Sequence, residues 1–190
     1  MNTNYTESRN FIKTDFTKES LHKGEYENCS FKDCELSNCD LSGFSFTECS
    51  FSGCNLSLAK ISNTAFREVK FQSCKLMGLH FEDCNTFLFS IDFDHCTLNL
   101  SSFYQLNLKR TKFIGTTLQE VDFTESDLSG VSLDNCDLSG AIFENTNLEK
   151  ADFRSAFNYS MDPEVNRMKK ARFSLLGVGG LLGKYGIVVE

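Results

Sequence analysis

Phe51-Ser52-Gly53-Cys54-Asn55-Leu56-Ser57-Leu58-Ala59-Lys60-Ile61-Ser62-Asn63-Thr64-Ala65-Phe66 carries a large apolar residue at every fifth position: Phe51, Leu56, Ile61 and Phe66. The same step runs outward in both directions. Phe11, Phe16, Leu21, Tyr26, Phe31, Leu36, Leu41 and Phe46 precede this stretch, and Phe71, Leu76 and Phe81 follow it. A second frame, displaced by two residues, takes in Leu88, Phe93, Leu98, Phe103, Leu108, Phe113, Leu118, Phe123, Leu128, Leu133, Leu138, Phe143, Leu148 and Phe153. Hydrophobic residues make up 41% of the chain, so chance would fill about twelve of these twenty-nine slots.

Neither regular element repeats at five. A helix repeats its apolar face near 3.6 residues and a half-buried strand repeats at 2. A period of five needs a chain that turns a corner every five residues. Four corners close a square coil of twenty residues, and stacked coils pair edge to edge like neighbouring strands, roughly 4.8 Å apart. One coil cannot bury its inward residues alone, whereas a stack makes a continuous core.

Two residues before each central residue the chain prefers something small. Cys29, Cys34, Cys39, Cys49, Cys54, Ala59, Cys74, Cys96, Ser126, Cys136, Ala141 and Ala151 occupy this slot. Phe44, Val69, Leu79, Leu106, Val121 and Val131 depart from it and predict locally shifted packing. The residues between are polar and predicted to face outward. The unit is clearest at Cys39-Asp40-Leu41-Ser42-Gly43 and Cys136-Asp137-Leu138-Ser139-Gly140.

This pattern resembles the pentapeptide-repeat family, whose unit reads Ala-(Asp/Asn)-Leu-X-X. The resemblance covers about residues 9 to 157 and implies an all-β fold, a right-handed quadrilateral β-helix. The frame change predicts a two-residue insertion around Cys84 to Phe87 that bulges one corner and keeps the stack. The expected organisation is a β-helix over residues 1–157, of about seven coils and roughly 35 Å, followed by a cap over residues 158–190.

The cap is predicted to hold two short helices. Asp162 followed by Pro163 has the form of a helix start, a capping carboxylate before a proline at the first helical position, and predicts a helix over Pro163 to Lys169. Phe173 lies twenty residues after Phe153 and can close its column. The second helix is predicted over Leu175 to Tyr185, destabilised by its interior glycines, each worth about 1 kcal/mol relative to alanine. Leu175, Val178, Leu181, Leu182, Tyr185 and Ile187 then need a partner, either the last coil or a second copy of the tail. Ile187-Val188-Val189 reads as an extended segment able to pair across a dimer.

The tail narrows the resemblance. Leu181-Leu182-Gly183-Lys184-Tyr185-Gly186-Ile187-Val188-Val189 resembles the ending of the quinolone-resistance pentapeptide proteins. Asp162-Pro163-Glu164-Val165-Asn166-Arg167 is similar to the ending of the microcin B17 immunity branch. The resemblance implies a DNA-mimic-like rod that binds DNA gyrase, protects it from topoisomerase poisons and forms a homodimer through its C-terminus. One departure stands out. Many quinolone-resistance proteins project sizeable loops, whereas this chain has only the insertion before Leu88 and an excursion from Asn158 to Lys170.

Charge narrows the partner class. The net charge is −7, and it is concentrated. Glu120, Asp122, Glu125, Asp127, Asp134, Asp137, Glu144, Glu149 and Asp152 face only Lys150 within their stretch. This acidic collar is the candidate partner-binding surface, suited to a basic protein that ordinarily grips nucleic acid. An Asp before the central residue also belongs to the repeat itself and aids turning and solubility. The remainder of the chain is nearly neutral, and direct nucleic-acid binding is disfavoured.

The nine cysteines read as packing residues rather than ligands, because they occupy the small inward slot and form no C-x-x-C pair. His22, His80 and His95 are the only histidines, and their acidic neighbours lack a fixed metal geometry. A filled core predicts no catalytic cleft, and neither a cofactor site nor a phosphate loop is expected. No apolar run reaches membrane-spanning length and the N-terminal residues are polar, so the expected location is the cytoplasm.

Overall fold

The computed structural model describes residues 4–187, and the predicted extension over Val188 and Val189 lies outside them. The chain folds as a parallel β-solenoid of about eight turns with almost no helix. Among the described residues, thirteen short strands occupy parts of the walls. These are β1 (Asn4–Glu7), β2 (Asn10–Ile12), β3 (Gly24–Glu27), β4 (Ser30–Lys32), β5 (Ser45–Thr47), β6 (Ser50–Ser52) and β7 (Ala65–Arg67). They continue as β8 (Val69–Gln72), β9 (Ile91–Asp94), β10 (Phe113–Ile114), β11 (Leu133–Asp134), β12 (Asp152–Phe153) and β13 (Arg172–Phe173).

One wall is a seven-stranded parallel sheet in the order β11-β10-β9-β8-β6-β4-β2, and the adjoining wall begins as β1-β3-β5-β7. Single bridges build the remaining walls, such as Asp15 to Glu35 to Asn55 to Lys75 and Ser102 to Asp122 to Ile142. Early register pairs Phe31 with Phe51, twenty residues on. Later it pairs Phe71 with Phe93, so the insertion shifts numbering without tilting the wall.

Along the walls like stacks on like. Phe11 lies 4.7 Å from Phe31 with rings 10° apart, and Phe31 lies 4.5 Å from Phe51 at 6°. A second column runs Phe81, Phe103, Phe123, Phe143, with centroid spacings of 4.6, 5.4 and 5.3 Å. Such offset parallel rings add roughly 0.5–1.5 kcal/mol per pair beyond the area they bury.

The small inward slot proves to be a donor slot as well. The thiols of Cys34, Cys54, Cys74 and Cys96 donate to the carbonyls of Phe11, Phe31, Phe51 and Phe71, at 3.5, 3.3, 3.3 and 3.4 Å. Thr64 and Thr146 use hydroxyls in the same way, on Leu41 and Phe123. All nine cysteines are free, and all but Cys39 are buried. At many units an Asp or Asn before the central residue secures the turn. Asp40 Oδ1 accepts the Ser42 amide at 2.9 Å, and Asp127 Oδ1 accepts the Ser129 amide at 3.0 Å. This is the side-chain mimicry of a backbone turn that Asp and Asn perform best.

Three expectations are corrected. Leu88 does not join the core: it is 64% exposed, beside Phe87 at 68%. Ala65 still bridges Asn85 in twenty-residue register, while Val69 already pairs with Ile91. The two extra residues therefore lie between Asn85 and Ile91, an interval that overlaps the predicted place at Thr86 and Phe87, and Phe89 rather than Leu88 packs against the core.

Pro163 to Lys169 is not a helix. Asp162 does cap the turn, accepting the Glu164 amide at 2.9 Å. The chain then returns to the solenoid, where Arg167 bridges Asn147. Asn166 fills the inward slot, its Nδ2 donating to Phe143 O at 2.8 Å and its Oδ1 accepting the Thr146 amide at 2.9 Å. A seven-residue helix is marginal in water, whereas the coil above supplies a ready ladder.

Leu175 to Tyr185 is not one helix either. It forms turns and two 3-10 segments, Val178–Leu181 and Gly183–Tyr185. The glycines fit this segment around Tyr159: a Cβ on Gly177 would collide with the phenol oxygen, and one on Gly180 with the Tyr159 carbonyl. Leu181 packs on the core and closes the rod.

Candidate functional site

The acidic residues sit where repeat position puts them, on all four walls. Asp134 and Asp152 lie on the Phe113–Leu133–Phe153 wall, and Glu120 and Asp137 flank Leu118 and Leu138 on the next. Asp122, Glu125 and Glu144 flank Phe123 and Phe143, while Asp127 and Glu149 flank Leu128 and Leu148. The structure therefore arranges them as a belt, not as a pair of phosphate-like rows.

The belt divides into tied and untied carboxylates. Asp122, Asp127, Asp137 and Asp152 each accept a backbone amide two residues on, from Thr124, Ser129, Ser139 and Arg154. Asp152 also takes a bidentate grip from Arg154, with the closest contact at 2.7 Å, and has Arg172 at 3.9 Å. Asp127 pairs with Lys109 at 3.0 Å, and Glu149 pairs with Arg167 at 3.0 Å. Glu125 accepts from Gln105 at 2.7 Å, and Asp134 from Ser132 at 2.6 Å. Among the described residues, Glu120 and Glu144 have no side-chain hydrogen bond or ion pair.

The carboxyl chemistry follows these contacts. The Arg154 guanidinium holds the Asp152 carboxyl below its ordinary range. Partial burial pushes Asp127 and Asp137 upward, but hydrogen bonds outweigh it and leave both lowered. Donors come from Ser129 and Lys109 in one case, and from Gln119, Ser139 and Asn158 in the other. All three stay ionised at neutral pH. The sequence alone did not reveal that Arg154, Arg167 and Arg172, just past the acidic stretch, reach back into it. The belt also exposes two apolar side chains, Ile142 and Phe157.

The predicted tail residues differ in exposure. Leu175 is 89% exposed and its neighbour Leu176 fully so, while Tyr185 and Ile187 are also exposed. Val178 and Leu182 are half-buried, and Leu181 belongs to the rod end. Lys184 ties the tail down, reaching Asp162 at 2.8 Å and Glu164 at 2.7 Å.

His80 meets Glu82 at 3.0 Å and His95 meets Asp94 at 2.5 Å, each as an isolated pair. Among the described residues no three metal-ligating side chains converge. No described helix is long and apolar enough to cross a membrane.

Comparison with known proteins matches the architecture. No curated protein sequence matches the chain. Among solved structures, a trypsin-treated variant of QnrB1, a plasmid-mediated fluoroquinolone resistance protein, superposes with a TM-score of 0.62 at 17% identity, covering 98% of this chain and 100% of that one. HetL, a pentapeptide repeat protein of the cyanobacterium Nostoc involved in heterocyst differentiation, gives a TM-score of 0.38 at 18% identity over 90% of this chain and 87% of its own. The likeness to QnrB1 is one of fold. The sequence model for the pentapeptide repeat region matches residues 24–90 and 86–157, the same residues whose five-step builds the solenoid. With the repeat, its inward slots and its stacked columns in agreement, the chain belongs to the pentapeptide-repeat family.

Proposed function

We propose that this protein is a non-enzymatic, cytoplasmic rod that binds DNA gyrase or a related topoisomerase and protects it from a quinolone or a peptide toxin. The belt from Glu120 to Asp152 carries this reading. It sets nine carboxylates around a narrow rod, where they meet a protein groove lined with cations. The tail resemblance points to the same enzyme. The exposed Leu175, Leu176, Tyr185 and Ile187 support a homodimer that joins two rods end to end.

The test is binding of purified gyrase to the immobilised protein across a salt series. Wild type binds at micromolar concentration or tighter and weakens as salt screens the belt. The triple variant Glu120→Lys, Asp134→Lys, Glu144→Lys alters carboxylates with no backbone role and loses binding. Salt-insensitive binding, or an unaffected triple variant, contradicts the reading.

A second reading rests on the ion pairs at Asp127, Glu149 and Asp152, which neutralise part of the belt from within. On this reading the rod is a scaffold for some other protein, and the triple variant leaves gyrase untouched while abolishing a different complex.

A further inference from the structure

The two-residue insertion does more than bulge a corner: it opens the wall. On the wall that carries Ala65, Asn85, Asn107, Asp127 and Asn147, bridges join Ala65 to Asn85, Asn107 to Asp127, and Asp127 to Asn147. Among the described residues none joins Asn85 to Asn107. One turn further on, two backbone bonds cross the wall, Leu108 N to Asp127 O and Asp127 N to Leu106 O, both at 2.8 Å. At the break, the amides of Thr86, Leu88 and Asn107 find no acceptor among the described residues. All three residues are exposed, so the interrupted ladder leaves these amides open to an acceptor from solvent or from a partner.

The lips of the break are chemically distinct. The upper lip holds Phe87 and Leu88, 68% and 64% exposed, with half-buried Phe89 beneath them. Leu88 also sits at φ 57, a left-handed conformation costing a leucine roughly 1–2 kcal/mol. The lower lip runs from Gln105 to Thr111, and a groove lies between the two. Lys109 is paired with Asp127, whereas Arg110 has no ion pair or hydrogen bond among the described residues. Repeat register puts Phe87 between Arg67 and Lys109, and Leu88 between Glu68 and Arg110. The notch thus offers free amide donors, an unpaired guanidinium and two exposed apolar side chains.

We propose that this notch docks an extended, acidic and apolar segment of a partner protein. A carboxylate of the segment takes the Arg110 guanidinium, the strongest side-chain match available to it. Its carbonyls or a second carboxylate accept the amides of Thr86, Leu88 and Asn107, and an apolar side chain covers Phe87 and Leu88. The charge requirement is opposite to that of the acidic belt. The notch therefore serves a different contact from the one proposed for gyrase, and either can fail without the other.

The experiment uses the full chain and a fluorescein-labelled peptide alternating Asp with Leu and Phe, read by anisotropy, against the same peptide with Lys for Asp. The acidic peptide binds and the basic one does not. Arg110→Glu weakens the acidic peptide by about tenfold or more, and the pair Phe87→Ser, Leu88→Ser does the same. Both variants alter exposed side chains, so their thermal melts match wild type and a loss of folding is separable from a loss of binding. Amide exchange at Thr86, Leu88 and Asn107 slows when the peptide is bound. Equal binding of both peptides, indifference to the substitutions, or a dimer that forms through Phe87 and dissociates in the double variant would overturn the proposal.

Discussion

Phe71 stacks on Phe93, with ring centroids 5.6 Å apart and planes 14° from parallel, across a register of twenty-two residues instead of twenty. The column is thus conserved in space where it is broken in sequence. Phe93 also meets Phe81 and Phe103 edge to face at 5.7 and 6.0 Å, so it ties the two halves of the rod together. Phe93→Ala should cost about 3–5 kcal/mol, because the stack above and below cannot collapse into the hole. Urea unfolding followed by circular dichroism measures it.

Leu88 and Leu108 separate the five-residue step from the wall it builds. Both occupy the step in sequence, yet Leu108 is fully buried and Leu88 projects into solvent. Leu108→Ala should cost about 2–5 kcal/mol. Leu88→Ala should change stability by no more than about 0.5 kcal/mol. Equal losses in paired denaturation curves would place Leu88 back in the core.

These contrasts show how far the sequence could be read. Phe31, Phe51 and Leu118 were legible because each depends only on its own slot and the coils beside it. Leu88 was not, since a frame shift marks that two residues are extra but not which ones leave the wall. The helix over Pro163 to Lys169 failed for a related reason. Asp162 gives the local start signal and does cap a turn, but Asn166 finds Thr146 and Phe143 in the coil above, and that ladder prevails. The belt carboxylates were legible as positions. Their pairing with Arg154, Arg167 and Arg172 was not, because it depends on which long side chains fold back along the rod.

The buried thiols predict an alkaline limit to stability. Burial pushes Cys49 up to about 12 and Cys136 up to about 11, from an ordinary 9.0. Burial likewise raises the Tyr26 phenol to about 12. The folded state then holds protons that the unfolded chain releases from roughly pH 8.5 upward. The contribution of these thiols and this phenol should be constant below that point and fall steadily between about pH 9 and 12. Urea midpoints across this range measure the slope, and the Cys49→Ser, Cys136→Ser double variant should flatten it.

The tail is seated on Tyr159 by two glycines with no room to spare. Gly180→Ala and Gly177→Ala should each unseat the segment from Gly177 to Tyr185, because the added methyl meets the Tyr159 backbone or phenol oxygen. Gly179→Ala, with nothing within 4 Å, should leave it in place. Hydrogen exchange at Leu182 and Tyr185, whose amides bond to Gly179 and Leu182 at 3.0 Å each, reports the difference.

The most direct measurement is gyrase supercoiling of relaxed plasmid in the presence of a fluoroquinolone, with this protein added in increasing amounts. The account predicts restored supercoiling and fewer drug-trapped cleavage complexes with wild type, and neither effect with Glu120→Lys, Asp134→Lys, Glu144→Lys. Supercoiling that stays inhibited at every wild-type concentration, or that the triple variant rescues equally well, would contradict it.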